Sequence, residues 1–228
     1  MGEMVEFPSN GTTATGYVAV PESGSGPGVL VIQEWWGLNE QIREVCDRLA
    51  TGGFVALAPD LYRGDETRVE DEAMKLMLAL NIEQAAKDMA GAIDHLLRRS
   101  EVTSDGVGVT GFCMGGGLAL WLATLRPDDV KAVVPFYGVL PWPNAQPDYE
   151  KLRAPLMGHY AANDQSASPE MVAELDEQLG RLGKRAEFFV YPNCDHAFAN
   201  HHRPEVFVGD AAELAWSRTL EFFRANLT

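Results

Sequence analysis

The sequence predicts an α/β fold with a mainly parallel central sheet and helices on both faces of that sheet. Short β-rich runs alternate with longer stretches of helical periodicity, which is typical of β-α-β units. Several runs are almost wholly apolar, as at residues 29–32, and such strands occur where helices cover both faces of a sheet. Because 228 residues are enough for one large core, we expect a single domain over residues 1–228.

The expected elements follow in order along the chain. Asn10 and Gly11 form a turn signal between the runs 5–7 and 17–20, which predicts an antiparallel hairpin at the sheet edge. Further strands are expected at residues 28–33, 54–58, 106–110, 132–136, 155–159 and 187–191. Helical periodicity covers residues 39–51, 69–99 with a break near Asn81, 115–125, 169–182 and 210–225.

Charge and composition argue against several classes of partner. The chain carries 33 acidic and 18 basic residues, a formal net charge of −15, so its surface repels phosphate backbones and anionic lipid headgroups. We therefore expect neither nucleic acid nor a membrane as a partner. The N-terminus lacks a basic start and an apolar run, and no stretch approaches the roughly 20 apolar residues of a spanning helix. This pattern predicts a cytoplasmic protein.

The most informative segment runs from Gly106 to Gly117, where a strand, a glycine-rich turn and a helix follow one another. The turn fits the pattern G-x-nucleophile-x-G, with Cys113 in the nucleophile position between Gly111 and Gly115. Small neighbours let the chain turn sharply and hold the central residue in a strained conformation. The following helix places a positive dipole end and free backbone N–H groups near the thiol. This arrangement suits acyl transfer, although glycine-rich turns of this kind also bind phosphates.

A nucleophile of this kind needs a histidine base and a carboxylate that orients the base. Asp164 and His196 each follow an expected strand, so both leave the same carboxyl edge of the sheet as Cys113. Their order along the chain is nucleophile, acid and histidine, as this fold requires. Asp164 has an alternative role as a turn former and His196 as an ordinary loop histidine, but their joint placement favours a catalytic triad.

Other titratable residues fit the triad less well. Asp60 comes before the nucleophile in the chain, and Asp195 stands directly beside the histidine, where it cannot easily orient the ring. His95 lies within a predicted helix and His159 ends a predicted strand, so we expect structural roles for both. None of these four residues is expected to take part in catalysis.

No metal site is expected from the sequence. His201 and His202 lie near the candidate base, yet no carboxylate or cysteine completes a ligand set with them at a familiar spacing. The three cysteines are odd in number and include no C-x-x-C pair, so neither a disulfide framework nor a thiolate zinc site is indicated. We expect Cys46 in the core and Cys194 outside any nucleophile turn.

With Cys113, Asp164 and His196 in place, the chain closely resembles the dienelactone hydrolase family of α/β-hydrolases. The resemblance extends over nearly the whole length and rests on ordered motifs: GVLVIQEWWGLN from Gly28, APDLY from Ala58, GFCMGG from Gly111, FYG from Phe136 and HAF from His196. It implies the α/β-hydrolase fold and the hydrolysis of ester or lactone bonds, with no cofactor.

The resemblance also implies roles for residues that the triad leaves out. Glu34, at the end of its strand, would contact the thiol and take part in its activation, unless it is a structural acid. The backbone N–H groups of Trp35 and Met114 would form the oxyanion hole. Two arginines hold the substrate carboxylate in dienelactone hydrolases proper, and the corresponding positions here carry Glu70 and Asn200.

These departures favour a more neutral substrate, unless a nearby arginine at position 63, 68 or 203 replaces the missing pair. A set of aromatic residues indicates an apolar pocket for aryl or alkyl esters. The residues expected to line it are Trp35, Trp36, Tyr62, Tyr137, Trp142, Phe198 and Asn200.

The predicted function is therefore ester or lactone hydrolysis through an acyl-enzyme on Cys113, by a monomer or weak homodimer acting on a small molecule. Hydrolysis of a phosphotriester by the same triad is the first alternative. A hydrolase-like protein that binds a small ligand without turnover is the second. A redox role for Cys113 is disfavoured because no resolving cysteine lies nearby in the sequence.

Overall fold

The computed structural model describes residues 2–227. Within them, eight strands join one sheet, and in chain order these are β1 (Glu3–Ser9), β2 (Thr12–Ala19), β3 (Gly26–Ile32), β4 (Val55–Pro59), β5 (Val102–Phe112), β6 (Val130–Phe136), β7 (Leu156–Ala161) and β8 (Ala186–Tyr191). Across the sheet the order is β1-β2-β4-β3-β5-β6-β7-β8. The β1–β2 and β2–β4 pairs are antiparallel and the other neighbours are parallel. The predicted α/β fold, with a mainly parallel sheet and an N-terminal hairpin, is confirmed.

Helices cover both faces of this sheet. They are α1 (Glu40–Thr51), α2 (Glu70–Ala79), α3 (Ile82–Arg98), α4 (Met114–Leu125), α5 (Pro169–Arg181) and α6 (Gly209–Asn226). The predicted break near Asn81 is confirmed, because α2 ends before this residue and its side chain caps α3 by accepting a hydrogen bond from the Gln84 backbone N–H. None of the helices in residues 2–227 combines the length and the apolar character needed to cross a bilayer.

The hairpin turns at the Asn-Gly pair that predicted it. Asn10 and Gly11 both have positive φ angles, 42° and 86°, as a two-residue turn between right-twisted strands requires. Both strands are longer than expected. The residues near the turn include polar threonines on partly exposed strands, so they lack the apolar pattern that predicts a strand. The hairpin extends the sheet at one edge, away from the candidate triad.

Strand β5 begins four residues before the expected start at residue 106. Its early part is polar and therefore lacks the apolar run that identifies a buried strand. The Ser104 hydroxyl replaces backbone pairing in this part of the sheet. It accepts a hydrogen bond from the Gly28 N–H at 3.0 Å and donates one to the Gly106 carbonyl at 2.7 Å. A side chain thus satisfies backbone groups where the strand pairing is irregular.

The core consists of two layers, one on each face of the sheet. In β3, Val29 and Val31 contact the layer that contains α1 and α6, whereas Leu30 and Ile32 contact the layer that contains α3 and α4. All four side chains are fully buried, which explains the continuous apolar run in the sequence. Because β3, β5, β6, β7 and β8 pair in parallel, their carboxyl ends lie at the same edge of the sheet.

Candidate active site

Cys113 occupies a sharp turn between the end of β5 and the start of α4. Its φ of 55° and ψ of −121° are costly for a residue with a side chain. Close packing of glycines makes this turn possible: a Cβ on Gly111 would lie 2.1 Å from the Gly115 carbonyl oxygen, and one on Gly115 would lie 2.4 Å from the Gln33 carbonyl oxygen. Only glycine fits at these two positions.

Backbone hydrogen bonds hold Cys113 in this conformation. Its N–H donates to the Phe136 carbonyl at 3.1 Å. Its carbonyl accepts from the N–H groups of Gly116 at 3.0 Å, Gly117 at 3.2 Å and Val139 at 3.1 Å. Four bonds, to the start of α4 and to the end of β6 and the loop after it, fix the residue, so the strained conformation persists. The half-buried side chain is a free thiol that faces a cavity.

His196 and Asp164 form a close pair at the same edge of the sheet. The Nδ1 atom of His196 lies 2.6 Å from Oδ2 of Asp164, a length typical of a hydrogen bond to an ionised partner. The other carboxylate oxygen accepts the N–H groups of Ser166 at 2.7 Å and Ala167 at 3.0 Å. These bonds orient the buried carboxylate, and the carboxylate in turn orients the imidazole.

The loops that carry this pair are bonded to each other. The N–H of Asn163 donates to the Cys194 carbonyl at 3.0 Å, and the N–H of Ala162 donates to the Tyr191 carbonyl at 3.0 Å. The loop after β7 therefore lies directly against the loop after β8. Ala197, next to the histidine, adopts a φ of 68°, which marks a second sharp turn. The Asp164–His196 spacing thus depends on backbone contacts and not on the two side chains alone.

The electrostatic environment favours a positively charged imidazole. Burial lowers the pKa of His196, but the hydrogen bond to Asp164 and the contact with Cys113 outweigh burial and raise the pKa to about 10. Burial likewise raises the pKa of Asp164, but the hydrogen bond and charge of His196 outweigh it and lower that pKa overall. The pair is therefore arranged to stabilise an imidazolium, the species formed when the ring accepts a proton from the thiol.

Glu34 is a buried carboxylate on the wall of the same cavity. Its Oε1 accepts a hydrogen bond from the Tyr137 hydroxyl at 3.3 Å, and its Oε2 accepts one from the Asn200 amide at 3.0 Å. Burial raises the pKa of Glu34, and the positive charge of His196 partly opposes that rise. Neither donor is the thiol, so the expected direct contact with Cys113 is not among its hydrogen bonds. Glu34 is therefore a buried carboxyl group that two side chains hold on the wall of the cavity.

The backbone N–H groups of Trp35 and Met114 are free to bind an oxyanion. Within residues 2–227, neither group donates to a carbonyl or to a side chain. Met114 is the first residue of α4, so its N–H belongs to the positive end of that helix dipole. Trp35 follows β3, on the other side of the Cys113 turn, and lines the cavity. Both N–H groups are available as donors, and their role as an oxyanion hole stays a prediction.

The chain is similar to known proteins over nearly its whole length. The model of the dienelactone hydrolase family matches residues 14–227. This chain belongs to the dienelactone hydrolase family. An Aquifex aeolicus protein named "Putative carboxymethylenebutenolidase" is 35% identical over 233 residues, which cover 100% of both chains. A solved structure titled "Putative Dienelactone Hydrolase", from Klebsiella pneumoniae, has 30% identity and a TM-score of 0.88, and the match covers 98% of each chain.

A more distant structure shares the fold. A dienelactone hydrolase-like promiscuous phosphotriesterase from metagenomic libraries has a TM-score of 0.87 at 22% identity, and the match covers 100% of this chain and 99% of the other. Membership of the dienelactone hydrolase family confirms the expected enzyme class, a hydrolase that acts on ester or lactone bonds.

The cavity beside Cys113 has a volume of about 940 Å³, enough for a small-molecule substrate. Its lining differs in part from the expectation, because only Trp35 and Trp36 of the seven expected residues reach its wall. The walls instead consist largely of aliphatic and methionine side chains, several of them from α2 and α5: Met74, Met77, Leu120, Val139, Leu140, Met171, Val172 and Leu175. The pocket is therefore apolar, as expected, but its residues are different.

The other five expected residues are not on the wall of this cavity. Tyr62 is buried with its hydroxyl 3.4 Å from the Met114 sulfur. Tyr137 and Asn200 are buried as the two donors to Glu34, and Phe198 and Trp142 are buried in the core layers. Large aromatic side chains bury the most apolar area, so core packing competes with pocket lining for them. The sequence alone does not show whether an aromatic side chain packs in the core or lines the pocket.

Arg203 is the one of the three candidate arginines that reaches the cavity in the described part of the chain. Its guanidinium lies over the ring of Trp36 at 5.8 Å, and its Nε donates to Glu205 at 2.7 Å. Arg63 instead pairs with the buried Asp88 at 2.9 Å, and Arg68 is a highly exposed side chain. Arg203 is thus already neutralised in part by acidic neighbours.

The residues set aside in the sequence have structural partners. Asp60 accepts backbone N–H groups from Tyr62 and Gly64. His159 is buried between Thr219 and Tyr191, and burial lowers its pKa to about 3. The contacts of His159 agree with the structural role expected for that residue.

The expectation about metals rested on ligand spacing along the chain, and it stays a prediction. A carboxylate does lie beside His201 and His202: that of Glu44, which the fold brings from α1. Glu44 is more than 150 positions from the two histidines in the chain, so ligand spacing along the sequence does not reveal it.

Proposed function

We propose that this chain hydrolyses neutral esters or lactones with apolar acyl or aryl groups, through a thioester formed on Cys113. The observation that carries the proposal is the strained Cys113 turn facing an imidazole that is held 2.6 Å from a buried carboxylate. A strained cysteine, an oriented base and free N–H donors at one cavity form the arrangement that acyl transfer requires.

In the proposed mechanism, Nδ1 of His196 is bonded to Asp164, which leaves Nε2 to accept the proton of the Cys113 thiol. The thiolate attacks the carbonyl carbon, and the resulting oxyanion accepts hydrogen bonds from the N–H groups of Trp35 and Met114. The imidazolium then gives its proton to the leaving oxygen. Water, activated by the same ring, attacks the thioester and releases the acid and the free thiol.

Glu34 is proposed to stabilise the imidazolium through its charge. It is buried close enough to His196 for each group to favour the ionised form of the other. Tyr137 and Asn200 hold its two oxygens in place. This role requires no movement of Glu34 during turnover and no carboxylate on the substrate.

The preference for a neutral substrate follows from the cavity and the overall charge. The lining is dominated by apolar side chains, and the net charge of −15 disfavours the approach of anions. Arg203 is an arginine on the wall, and its charge is shared with Glu205 and, at 3.9 Å, with Glu70. A substrate carboxylate would have to compete with both.

The test compares 4-nitrophenyl butyrate with 4-nitrophenyl hemisuccinate, which differ by a carboxylate and release the same product. We expect kcat/KM to be at least about tenfold higher for the neutral ester, a difference of roughly 1.4 kcal/mol. Cys113→Ala should lower kcat/KM by a factor of at least about 10³ for both esters. Cys46→Ala removes a buried thiol from α1 and should retain full activity. Undiminished turnover by Cys113→Ala would refute the proposal.

Phosphotriester hydrolysis is the second candidate, favoured by the close fold similarity to the metagenomic phosphotriesterase. The same thiolate and oxyanion donors would serve attack on phosphorus. Diethyl 4-nitrophenyl phosphate added to the substrate series separates the two activities. A kcat/KM for this compound above that for the butyrate would make phosphotriesters the preferred class.

A further inference from the structure

Three side chains that the proposed mechanism does not use converge at the surface beyond the catalytic loop. Glu44 projects from α1, and His201 and His202 lie in the turns that follow His196. The Nε2 atoms of His201 and His202 lie 2.8 Å and 2.7 Å from the same oxygen of Glu44, Oε2. The fold therefore gathers two imidazole nitrogens and a carboxylate oxygen around one point.

The orientation of the two rings is specific. Their centroids are 4.5 Å apart and their planes cross at 68°, so the rings of adjacent residues do not stack but point together. The His202 backbone N–H donates to the side-chain oxygen of Asn200 at 3.0 Å, which fixes the turn that presents them. All the ligating atoms lie within 4.8 Å of one another.

We propose that Glu44, His201 and His202 bind a divalent first-row transition ion of the Zn²⁺ type. Zinc bonds to histidine nitrogen and carboxylate oxygen are about 2.0–2.2 Å long, which places tetrahedral ligand atoms about 3.4 Å apart. Each histidine nitrogen, now 2.7 or 2.8 Å from the Glu44 oxygen, therefore needs to move from it by roughly 0.6 Å to admit the ion. Two imidazoles with one carboxylate suit Zn²⁺, Co²⁺ or Ni²⁺ and not Mg²⁺, which prefers oxygen ligands and water. Water completes the coordination, because the three side chains are substantially exposed.

The bound ion would fasten α1 to the loop that carries the catalytic histidine. From the site, the chain of contacts runs from the His202 backbone to Asn200 and from the Asn200 amide to Glu34, each step a hydrogen bond of 3.0 Å. The ion thus stabilises the position of the residue that holds Glu34. It supplies no chemistry to the ester reaction itself.

Titration calorimetry of the tag-free, chelator-treated full chain with Zn²⁺ tests the site. We expect one ion per chain, no detectable binding of Mg²⁺, and an affinity at least about tenfold weaker in His202→Ala and in Glu44→Gln. Glu40→Gln is the matched control, since it removes an exposed carboxylate one turn earlier on α1 and should bind Zn²⁺ unchanged. Circular dichroism verifies that each variant is folded.

The active-site thiol and imidazole are a competing place for zinc, and a second arm excludes it. Cys113→Ala should bind Zn²⁺ as the native chain does, and Co²⁺ bound to this variant should give a visible spectrum without thiolate charge transfer. That spectrum should vanish in Cys113→Ala/His202→Ala. Binding lost in Cys113→Ala alone, or unchanged by both His202→Ala and Glu44→Gln, overturns the site. Because this arm uses an inactive nucleophile variant, its outcome is independent of the ester hydrolysis assay.

Discussion

The two sides of the cavity are built in different ways. On one side, Cys113, His196 and Asp164 are fixed by backbone hydrogen bonds, tight glycine contacts and a sharp turn at each loop. On the other side, Met74 and Met171 contribute flexible and largely exposed side chains from α2 and α5. A methionine has three rotatable bonds and adapts to irregular shapes. The proposed catalytic residues are thus held rigidly, and the opposite wall of the cavity is adaptable.

This difference separates reaction type from substrate choice. A substitution on the catalytic side should damage turnover of every substrate, since it alters groups that act on the reacting bond. A substitution on the helical side should change the ranking of substrates and leave the chemical step intact. Four variants test whether reaction type and substrate choice are separate in this way, and the largest effect is expected for the first.

Asp164→Asn should reduce kcat by a factor of about 10³, because the neutral amide no longer orients and stabilises the imidazolium. It should also shift the alkaline limb of the pH profile. The native pKa of His196, raised to about 10, places that limb near pH 10, and losing the carboxylate should move it to lower pH. The profile of kcat/KM between pH 5 and 11 measures both effects. An unshifted limb would mean that Asp164 is a structural residue and not the triad acid.

Gly111→Ala should destabilise the protein by about 3 kcal/mol or prevent folding, because the new Cβ would lie 2.1 Å from the Gly115 carbonyl oxygen. Urea unfolding measures the loss. Gly180→Ala is the matched control: it lies on α5 with nothing within 4 Å of the added Cβ, and it should raise stability by about 0.5–1 kcal/mol. Equal stability of the two variants would contradict the account of a turn that only glycine permits.

Glu34→Gln should lower kcat about tenfold, which corresponds to roughly 1.4 kcal/mol of lost stabilisation of the imidazolium. The amide retains nearly the same size, so the effect should come from charge. Steady-state kinetics on 4-nitrophenyl butyrate measure it, and KM should change little. A kcat equal to that of the native chain would remove Glu34 from the mechanism.

Met74→Ala should raise KM several-fold for a long acyl chain and hardly change kcat for 4-nitrophenyl acetate, because about 1 kcal/mol of apolar contact is lost with the long substrate only. Leu78→Ala, an exposed position one turn later on α2 outside the cavity wall, is the control and should change neither value. Equal losses on short and long substrates would show that the helical wall also supports the chemical step.

The same contrast explains how much the sequence could predict. Cys113, Asp164 and His196 follow strands whose apolar runs are readable, so chain order placed them at one edge before any coordinates. Met74 and Met171 lie on helices whose apolar faces could equally have packed into the core, and a sequence pattern does not separate these outcomes. Trp142 was expected on the pocket wall because it lies in a proline-rich loop. It is instead buried in the core.

Contacts distant along the chain were the least predictable. Asn200 could be recognised as a replacement for a family arginine, but its bond to Glu34 depends on loop geometry that no local pattern encodes. Glu44 was similarly hidden, since only the packing of α1 brings it beside His201 and His202. Periodicity and turn chemistry describe neighbours along the chain, whereas these contacts arise from the assembled fold.

The central claim is that the Cys113 sulfur carries the acyl group during turnover. Rapid acid quenching of the native chain with 4-nitrophenyl butyrate, followed by peptide mass mapping, tests it directly. We expect the butyryl mass on the peptide that contains Cys113, accumulated further in His196→Ala under forcing substrate concentrations, and no adduct on Cys46 or Cys194. Full turnover with the acyl group on another residue, or adducts unaffected by Cys113→Ala, would contradict the account.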